Sequence, residues 1–261
     1  MPTPVHVFDG PEQLGRALAE RIADGIAEAR AEGRRYVLGC PGGRTPRSTY
    51  VALAEVVRER KLELDSLVIS MMDEYVVTAA DGEVRRVSSE LHNSCHRFGR
   101  VEILEPLSDA SPTPIPGDQL WLPDPADPEA YDARLAAAGG IDLFLLASGA
   151  SDGHVAFNPP GSPVDSRTRV VTLAETTRQD NLHTFPEFSD LAEVPTQGVT
   201  VGIATISELA REVVMIVVGE QKRSAFIRLT EATTYEPEWP ATVVHLGRRA
   251  SIVADAAAVG G

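Results

Sequence analysis

The sequence predicts an α/β fold built on a parallel, doubly wound sheet, and three observations predict it. Apolar runs of strand length alternate with amphipathic runs of helix length along the chain. Two strand-length runs, IDLFLLASG and REVVMIVVG, are almost wholly apolar, as expected of parallel strands covered on both faces. Turns bearing glycine or charge follow the strands, where open parallel sheets place their ligands.

Taken in order, PVHVFD is a short opening strand. PEQLGRALAERIADGIAEARAEG sets Leu14, Ala17, Leu18, Ile22 and Ile26 at helical spacing, and Gly33 ends it. RYVLGC is a strand, PGGRTPRSTYVALAEVVRERK a turn and a second helix, and LVISMMDEY a third strand with a charged end. Residues 76–100 are polar and show no clear element. Residues 106–128, rich in Pro, Asp and Ser, read as a surface connection. PEAYDARLAAAGG is a helix and IDLFLLASG a buried strand. RTRVVTL is a strand, and GVTVGIATISELA runs into a short helix. REVVMIVVG is buried strand, EQKRSAFIRLTEA helix, and SIVADAAA a closing strand and tail. The rhythm resumes after residue 128 on the same pattern, so one domain over residues 1–261 is expected.

Composition narrows the function classes. Apolar residues make up 43% and charged residues 24%, ordinary for a soluble globular chain. The net charge of −14, from 24 Lys and Arg against 38 Asp and Glu, argues against nonspecific binding of nucleic acid or of anionic membranes. An anionic ligand would need a local positive potential, such as the N–H groups at a helix start. Two cysteines, Cys40 and Cys95, are too few for a disulfide framework and fit a reducing compartment. The opening MPTPVHVFDGPEQL has neither a basic n-region nor an apolar h-region. No apolar run approaches the roughly 18 residues of a membrane span. A soluble, cytoplasmic protein is expected.

Four segments carry chemistry, and each follows a predicted strand. In CPGGRTP, Gly42 and Gly43 permit a backbone that turns successive N–H groups into one cavity, Arg44 can add a charged contact to phosphate, and Thr45 can cap the next helix or donate to an anion. A plain βα turn with a good N-cap fits the same residues. In MMDEY, Asp73 is a candidate general base. Asp73 and Glu74 face opposite sides if the strand continues, so at most one faces a ligand directly. In GASDGHVAFNPPG, Asp152 can fix the tautomer of His154 and raise its basicity, which makes an acid/base pair for neutral pH. A structural histidine in a turn is the competing reading. No second histidine at ligand spacing and no cysteine pair stand nearby, so no metal is expected there. In GEQK, Lys222 opens a helix, where the dipole disfavours a cation unless an anion joins it; a solvated lysine is the alternative. His6, His92, His96 and His245 have no such context and read as surface or structural. No G-x-S-x-G elbow is present to support serine hydrolase chemistry.

Together, LGCPGGRTPRSTY, MMDEYV, IDLFLLASGASDGHVAFNPPGSPVDSRTR and VTVGIATISELAREVVMIVVGEQK resemble the glucosamine-6-phosphate deaminase/isomerase family, whose fold the 6-phosphogluconolactonases share. The resemblance runs from about residue 10 to 255, in the family's order. It implies a modified Rossmann-like α/β fold with a parallel sheet and helices on both faces. It also implies no cofactor and a small phosphorylated sugar as substrate. Asp73 would move a proton between C1 and C2 of the sugar. His154, oriented by Asp152, would assist ring opening, and residues 42–45 with Lys222 would hold the phosphate.

The chain departs from the deaminase pattern at identifiable places. Deaminases read D-G-H-[IV]-A-F-N-E-P, and their ring-opening glutamate is Pro159 here. Their phosphate-binding arginine falls at His183. Arg44 is typical of the lactonases, and Val171 replaces a lysine of the regulated deaminases' allosteric site. MDEY and AFN favour the deaminase side. The expected function is therefore a hexosamine 6-phosphate isomerase/deaminase with an atypical Pro159. A 6-phosphogluconolactonase-type hydrolase and a catalytically impaired sugar-phosphate-binding protein are the alternatives. The oligomeric state is open, a homo-oligomer included.

Overall fold

The computed structural model describes residues 2–260. In chain order its elements are β1 (Val5–Phe8), α1 (Pro11–Ala31), β2 (Tyr36–Cys40), α2 (Arg47–Arg60), β3 (Leu67–Met71), β4 (Asp73–Thr78), β5 (Val84–Arg86), α3 (Cys95–Phe98), α4 (Glu105–Ala110) and β6 (Leu120–Trp121). There follow α5 (Glu129–Ala137), β7 (Leu143–Ala147), β8 (Arg169–Thr172), α6 (Glu175–Thr184), β9 (Gln197–Thr200), α7 (Ile203–Leu209), β10 (Val213–Val217), α8 (Arg223–Glu231), β11 (Ala250–Asp255) and α9 (Ala256–Val259).

Seven strands form the expected parallel sheet, in the order β1-β11-β10-β7-β2-β3-β6. The two-residue alternation of a strand divides its apolar side chains between two cores. Leu143, Leu145, Val214 and Ile216 face one, with Leu14, Leu18, Ile22 and Ile26 of α1 and Leu53, Val56 and Val57 of α2. Phe144, Leu146, Val213 and Met215 face the other, with Tyr131 and Leu135 of α5, Ile203 and Ile206 of α7 and Leu229 of α8. Each large side chain so buried contributes about 1.5–3 kcal/mol, which makes both faces dry and the sheet rigid. Helices therefore cover both faces, and the spacing read in α1 is the stripe that the sheet buries.

A second sheet was not foreseen. Its four strands run β5-β4-β9-β8, and every pairing is antiparallel. It corrects two expectations. LVISMMDEY is two strands, not one: β3 stays in the parallel sheet, the chain leaves it at Met72, and Asp73–Val76 pairs instead with Gln197–Thr200. RTRVVTL likewise joins β9 in the small sheet rather than the large one. An apolar run does not say which partner strand will satisfy its backbone, so the break at Met72 has no local signal. The surface connection of residues 106–128 also contains β6, a short edge strand beside β3. Through Asp73 and Tyr75, strand β4 of the small sheet lines the same cavity as the turns after β2, β7 and β10.

Candidate active site

Four loops converge on one cavity of ≈ 700 Å³. Pro41, Gly42, Gly43, Arg44 and Thr45 come from the turn after β2; Met72, Asp73 and Tyr75 from the crossing into the small sheet; Ser148, Ala150 and His154 from the loop after β7; Gln221 and Lys222 from the turn after β10. The expected ligand-bearing turns thus meet, because parallel strands bring all their carboxyl ends to one edge.

At Gly43 the backbone has φ 83°, a left-handed conformation that only glycine adopts freely, and it turns the chain from β2 into α2. Thr45 is not the helix cap that the sequence suggested. Pro46 holds that position in helical geometry, and its carbonyl accepts from the N–H groups of Thr49 and Tyr50. Proline directly before Arg47 begins the turn one residue late, which leaves the Thr45 hydroxyl to the cavity. Across it, Lys222 is half-buried and donates from Nζ to the Ser148 carbonyl at 2.6 Å. Burial lowers the Lys222 pKa, the nearby Arg44 charge adds to that, and Asp180 and Asp152 oppose it.

In the loop after β7, Asp152 Oδ1 lies 2.7 Å from His154 Nδ1 and also accepts the His154 backbone N–H at 3.1 Å. The Thr176 hydroxyl donates to the other oxygen. Burial alone would raise the Asp152 carboxyl, but the hydrogen bonds and charge of His154 outweigh it and hold the carboxyl well below the usual range. An ionised carboxylate can only accept, so Nδ1 carries the proton and Nε2 is the free imidazole nitrogen. Gly149 makes this close packing possible, since a Cβ there would come within 2.3 Å of the imidazole. Asp152 itself stands behind His154 and does not line the cavity.

Asp73 and Glu74 do face opposite ways. Glu74 turns away from the cavity and ties down the start of α3. Its oxygens accept the N–H groups of Cys95 and His96 and the Ser94 hydroxyl, all at 2.8 Å. Asp73 is 6% exposed and faces the cavity, where burial pushes its carboxyl up to about 7. The Cys95 thiol opposes this, the charge of Glu74 adds to it, and His154 opposes it again.

Sequence reasoning missed α6, which brings Asp180, Asn181 and Thr184 to the cavity and sends Thr176 and Thr177 to Asp152 and His154. Its sequence, ETTRQDNLHT, has no apolar stripe; Pro186, just beyond its end, is its only boundary signal. The His183 side chain lies outside the described residues. Both cysteines are free and buried, and nothing in the sequence marks Cys95 as a neighbour of the cavity. His245 bonds Thr3 and the Leu229 carbonyl, and His92 packs on Phe188, as structural histidines do. Pro159 is absent from the cavity lining, and its carbonyl accepts from the backbone and hydroxyl of Ser162. Among the described residues, no group of three or more His, Cys, Asp and Glu side chains is arranged to hold a metal, and no helix is long and apolar enough to cross a membrane.

The parallel α/β scaffold thus gathers around one cavity a carboxyl raised by burial, an imidazole oriented by a carboxylate, and the cations of Arg44 and Lys222. The chain belongs to the family of glucosamine-6-phosphate isomerases and 6-phosphogluconolactonases, whose family model matches residues 9–253. It is 37% identical over 244 residues to a glucosamine-6-phosphate deaminase of Streptomyces avermitilis, covering 93% of this chain and 88% of that protein. It is 32% identical over 254 residues to one of Bacillus pumilus, covering 95% of each. A solved monomeric glucosamine-6-phosphate deaminase superposes with a TM-score of 0.84 at 27% identity, covering 98% of this chain and 99% of that one. A 6-phosphogluconolactonase from Shewanella baltica, at 19% identity and a TM-score of 0.67 over 97% of this chain and 98% of that one, shares the fold.

Proposed function

We propose that this enzyme converts a hexosamine 6-phosphate and water to the corresponding ketose 6-phosphate and ammonia. One observation carries the reading: Asp73, with its carboxyl pushed up to about 7, borders the same cavity as His154, whose tautomer Asp152 sets. A carboxyl that is half ionised near neutral pH can take a proton from one carbon and return it to the next. In the open-chain aldose, Asp73 removes the proton from C2 and delivers it to C1. The C2 amine becomes an imine, water adds to it, and ammonia leaves. His154, through Nε2, serves the ring oxygen when the pyranose opens.

The phosphate lies against the N–H groups of residues 42–45, the Thr45 hydroxyl, Arg44 and Lys222. Burial of the Lys222 ammonium is unfavourable in the free enzyme, and a phosphate would compensate it. Proton transfers between carbon and carboxyl need no cofactor. Pro159, where deaminases of this pattern carry a glutamate, cannot relay a proton, so the Asp152–His154 pair acts alone in ring opening. Ring opening is then the slow step.

That departure, with Arg44 in the glycine turn, favours one second reading, a 6-phosphogluconolactonase-type hydrolase in which His154 assists attack of water on the lactone carbonyl. Paired assays decide between them. Ammonia and fructose 6-phosphate released from glucosamine 6-phosphate support the first. Acid released from 6-phosphogluconolactone above the spontaneous rate, without deamination, supports the second. Thermal stabilisation by both sugar phosphates with turnover of neither means that only binding remains.

A further inference from the structure

Among the described residues, the Asp73 carboxylate meets a single protein donor. Its Oδ1 accepts a hydrogen bond from the Cys95 thiol at 3.2 Å, and among the described residues no donor reaches Oδ2. Cys95 is 7% exposed and lines the same cavity. Its place is set by the acid next to Asp73 in the chain. Glu74 accepts the N–H of Cys95, the N–H of His96 and the Ser94 hydroxyl, and so clamps the start of α3 onto β4. Because consecutive strand residues face opposite ways, one acid anchors the helix start while the helix start presents its thiol to the other acid.

Burial and the charges of Asp73 and Glu74 push the Cys95 thiol well above its usual range. It is therefore a neutral donor and a poor nucleophile. A buried cysteine is commonly a small apolar filler. Here the sulfur contacts the only cavity-facing carboxylate of β4, which packing alone does not require.

We propose that Cys95 is a positioning residue for Asp73: its thiol holds Oδ1 and leaves Oδ2 to exchange the proton with substrate. The groups that bear on Asp73 are Cys95 from α3, Glu74 from its own strand and His154 from the loop after β7, with the buried phenols of Tyr75 and Tyr131 nearby. The Tyr131 hydroxyl is committed to Ser70 and the Met71 carbonyl. Burial and Glu74 favour the neutral carboxyl, whereas Cys95 and His154 oppose them. Removing the thiol leaves His154 alone on that side. The catalytic meaning of Cys95 rests on the role proposed for Asp73; the hydrogen bond belongs to the free protein.

The test uses free protein first. The Asp73 carboxyl carbon, assigned by its loss in Asp73→Asn, is titrated by NMR in the wild type, Cys95→Ala and Cys95→Ser. The midpoint rises by about half a pH unit or more in Cys95→Ala, because a hydrogen bond to the charged form is lost, and rises less or not at all in Cys95→Ser, which keeps a hydroxyl donor. An unchanged midpoint in folded Cys95→Ala overturns the proposal. The infrared S–H stretch of the wild type gives a check that needs no Cys95 variant. The Cys95 band shifts as Asp73 titrates and is static in Asp73→Asn, and a band that ignores the Asp73 titration also overturns the proposal. In turnover, Cys95→Ala lowers kcat with KM retained, and the deficit closes as pH rises past the new midpoint. A deficit equal at every pH marks mere packing and counts against it. A moved midpoint in a protein that turns over no sugar phosphate upholds the positioning role and sinks the proposed reaction instead.

Discussion

Asp73, at the crossing from β3 into the small sheet, and Asp152, in the loop after β7, are the same residue type in opposite surroundings. Asp73 is buried with one thiol donor, and its carboxyl is pushed up to about 7. Asp152 is only partly buried, and an imidazole, a backbone N–H and a hydroxyl converge on it and keep it ionised. The two differ in depth and, more sharply, in donor count. Burial favours the neutral acid at both, and only Asp152 has enough donors to reverse it. One acid is left free to exchange a proton, and the other is fixed as a charge that orients His154.

The contrast is broken most directly by Asp73→Asn. We expect kcat on a hexosamine 6-phosphate to fall by about 10³-fold with KM changed only a few-fold, since general acid–base catalysis supplies about 10²–10⁴. Steady-state rates that stay within a factor of about ten would remove Asp73 from the chemistry. For the wild type, activity should fall as pH drops through about 7, because only the ionised carboxylate accepts the C2 proton.

The same variant should also stabilise the protein. The folded Asp73 pKa lies above its unfolded value of about 3.9, so folding binds the proton more tightly and stability is lost as pH rises from about 4 to about 7. Asparagine escapes that loss. Denaturant unfolding should show a gain of order 4 kcal/mol at about pH 8 that vanishes near pH 4. No gain at about pH 8 would mean that the carboxyl is not strained by burial.

Asp152→Asn should behave in the opposite sense. Its folded pKa is depressed, so its stabilising contribution is present above the unfolded value and is lost as pH falls through the folded one. The variant should be less stable at neutral pH, and kcat should fall by about 10²-fold as the imidazole loses its tautomer. A variant as stable and as active as the wild type would show that His154 holds its orientation without Asp152.

Lys222→Ala sharpens the contrast least but isolates binding. Loss of one charged hydrogen bond should raise KM for a phosphorylated substrate about tenfold and leave kcat nearly intact. An unchanged KM would place the phosphate elsewhere in the cavity.

Much of the site was legible because its residues follow strands. Gly42, Gly43, Arg44 and Thr45 stand after β2, Asp152 and His154 after β7, and Lys222 after β10; an apolar run closed by glycine and charge reports its own strand end. Asp73 was legible for the same reason, although the strand that carries it was assigned to the wrong sheet. Cys95 and α6 were not legible. The Cys95 thiol meets a carboxylate 22 residues away through a short polar helix, and α6 is held by threonine hydroxyls rather than by an apolar face.

The sequence alone determined the parallel sheet, most of its helices and the turns that meet at the cavity, because apolar period and turn chemistry are local properties written residue by residue. It determined which acids are present but not which one holds its proton more tightly. Only the tertiary structure decided that, by sending the chain out of the sheet at Met72, burying Asp73 against Cys95 and gathering donors around Asp152. A carboxyl's proton affinity is the sum of its desolvation and the donors around it, and both are set by chain segments far apart in sequence.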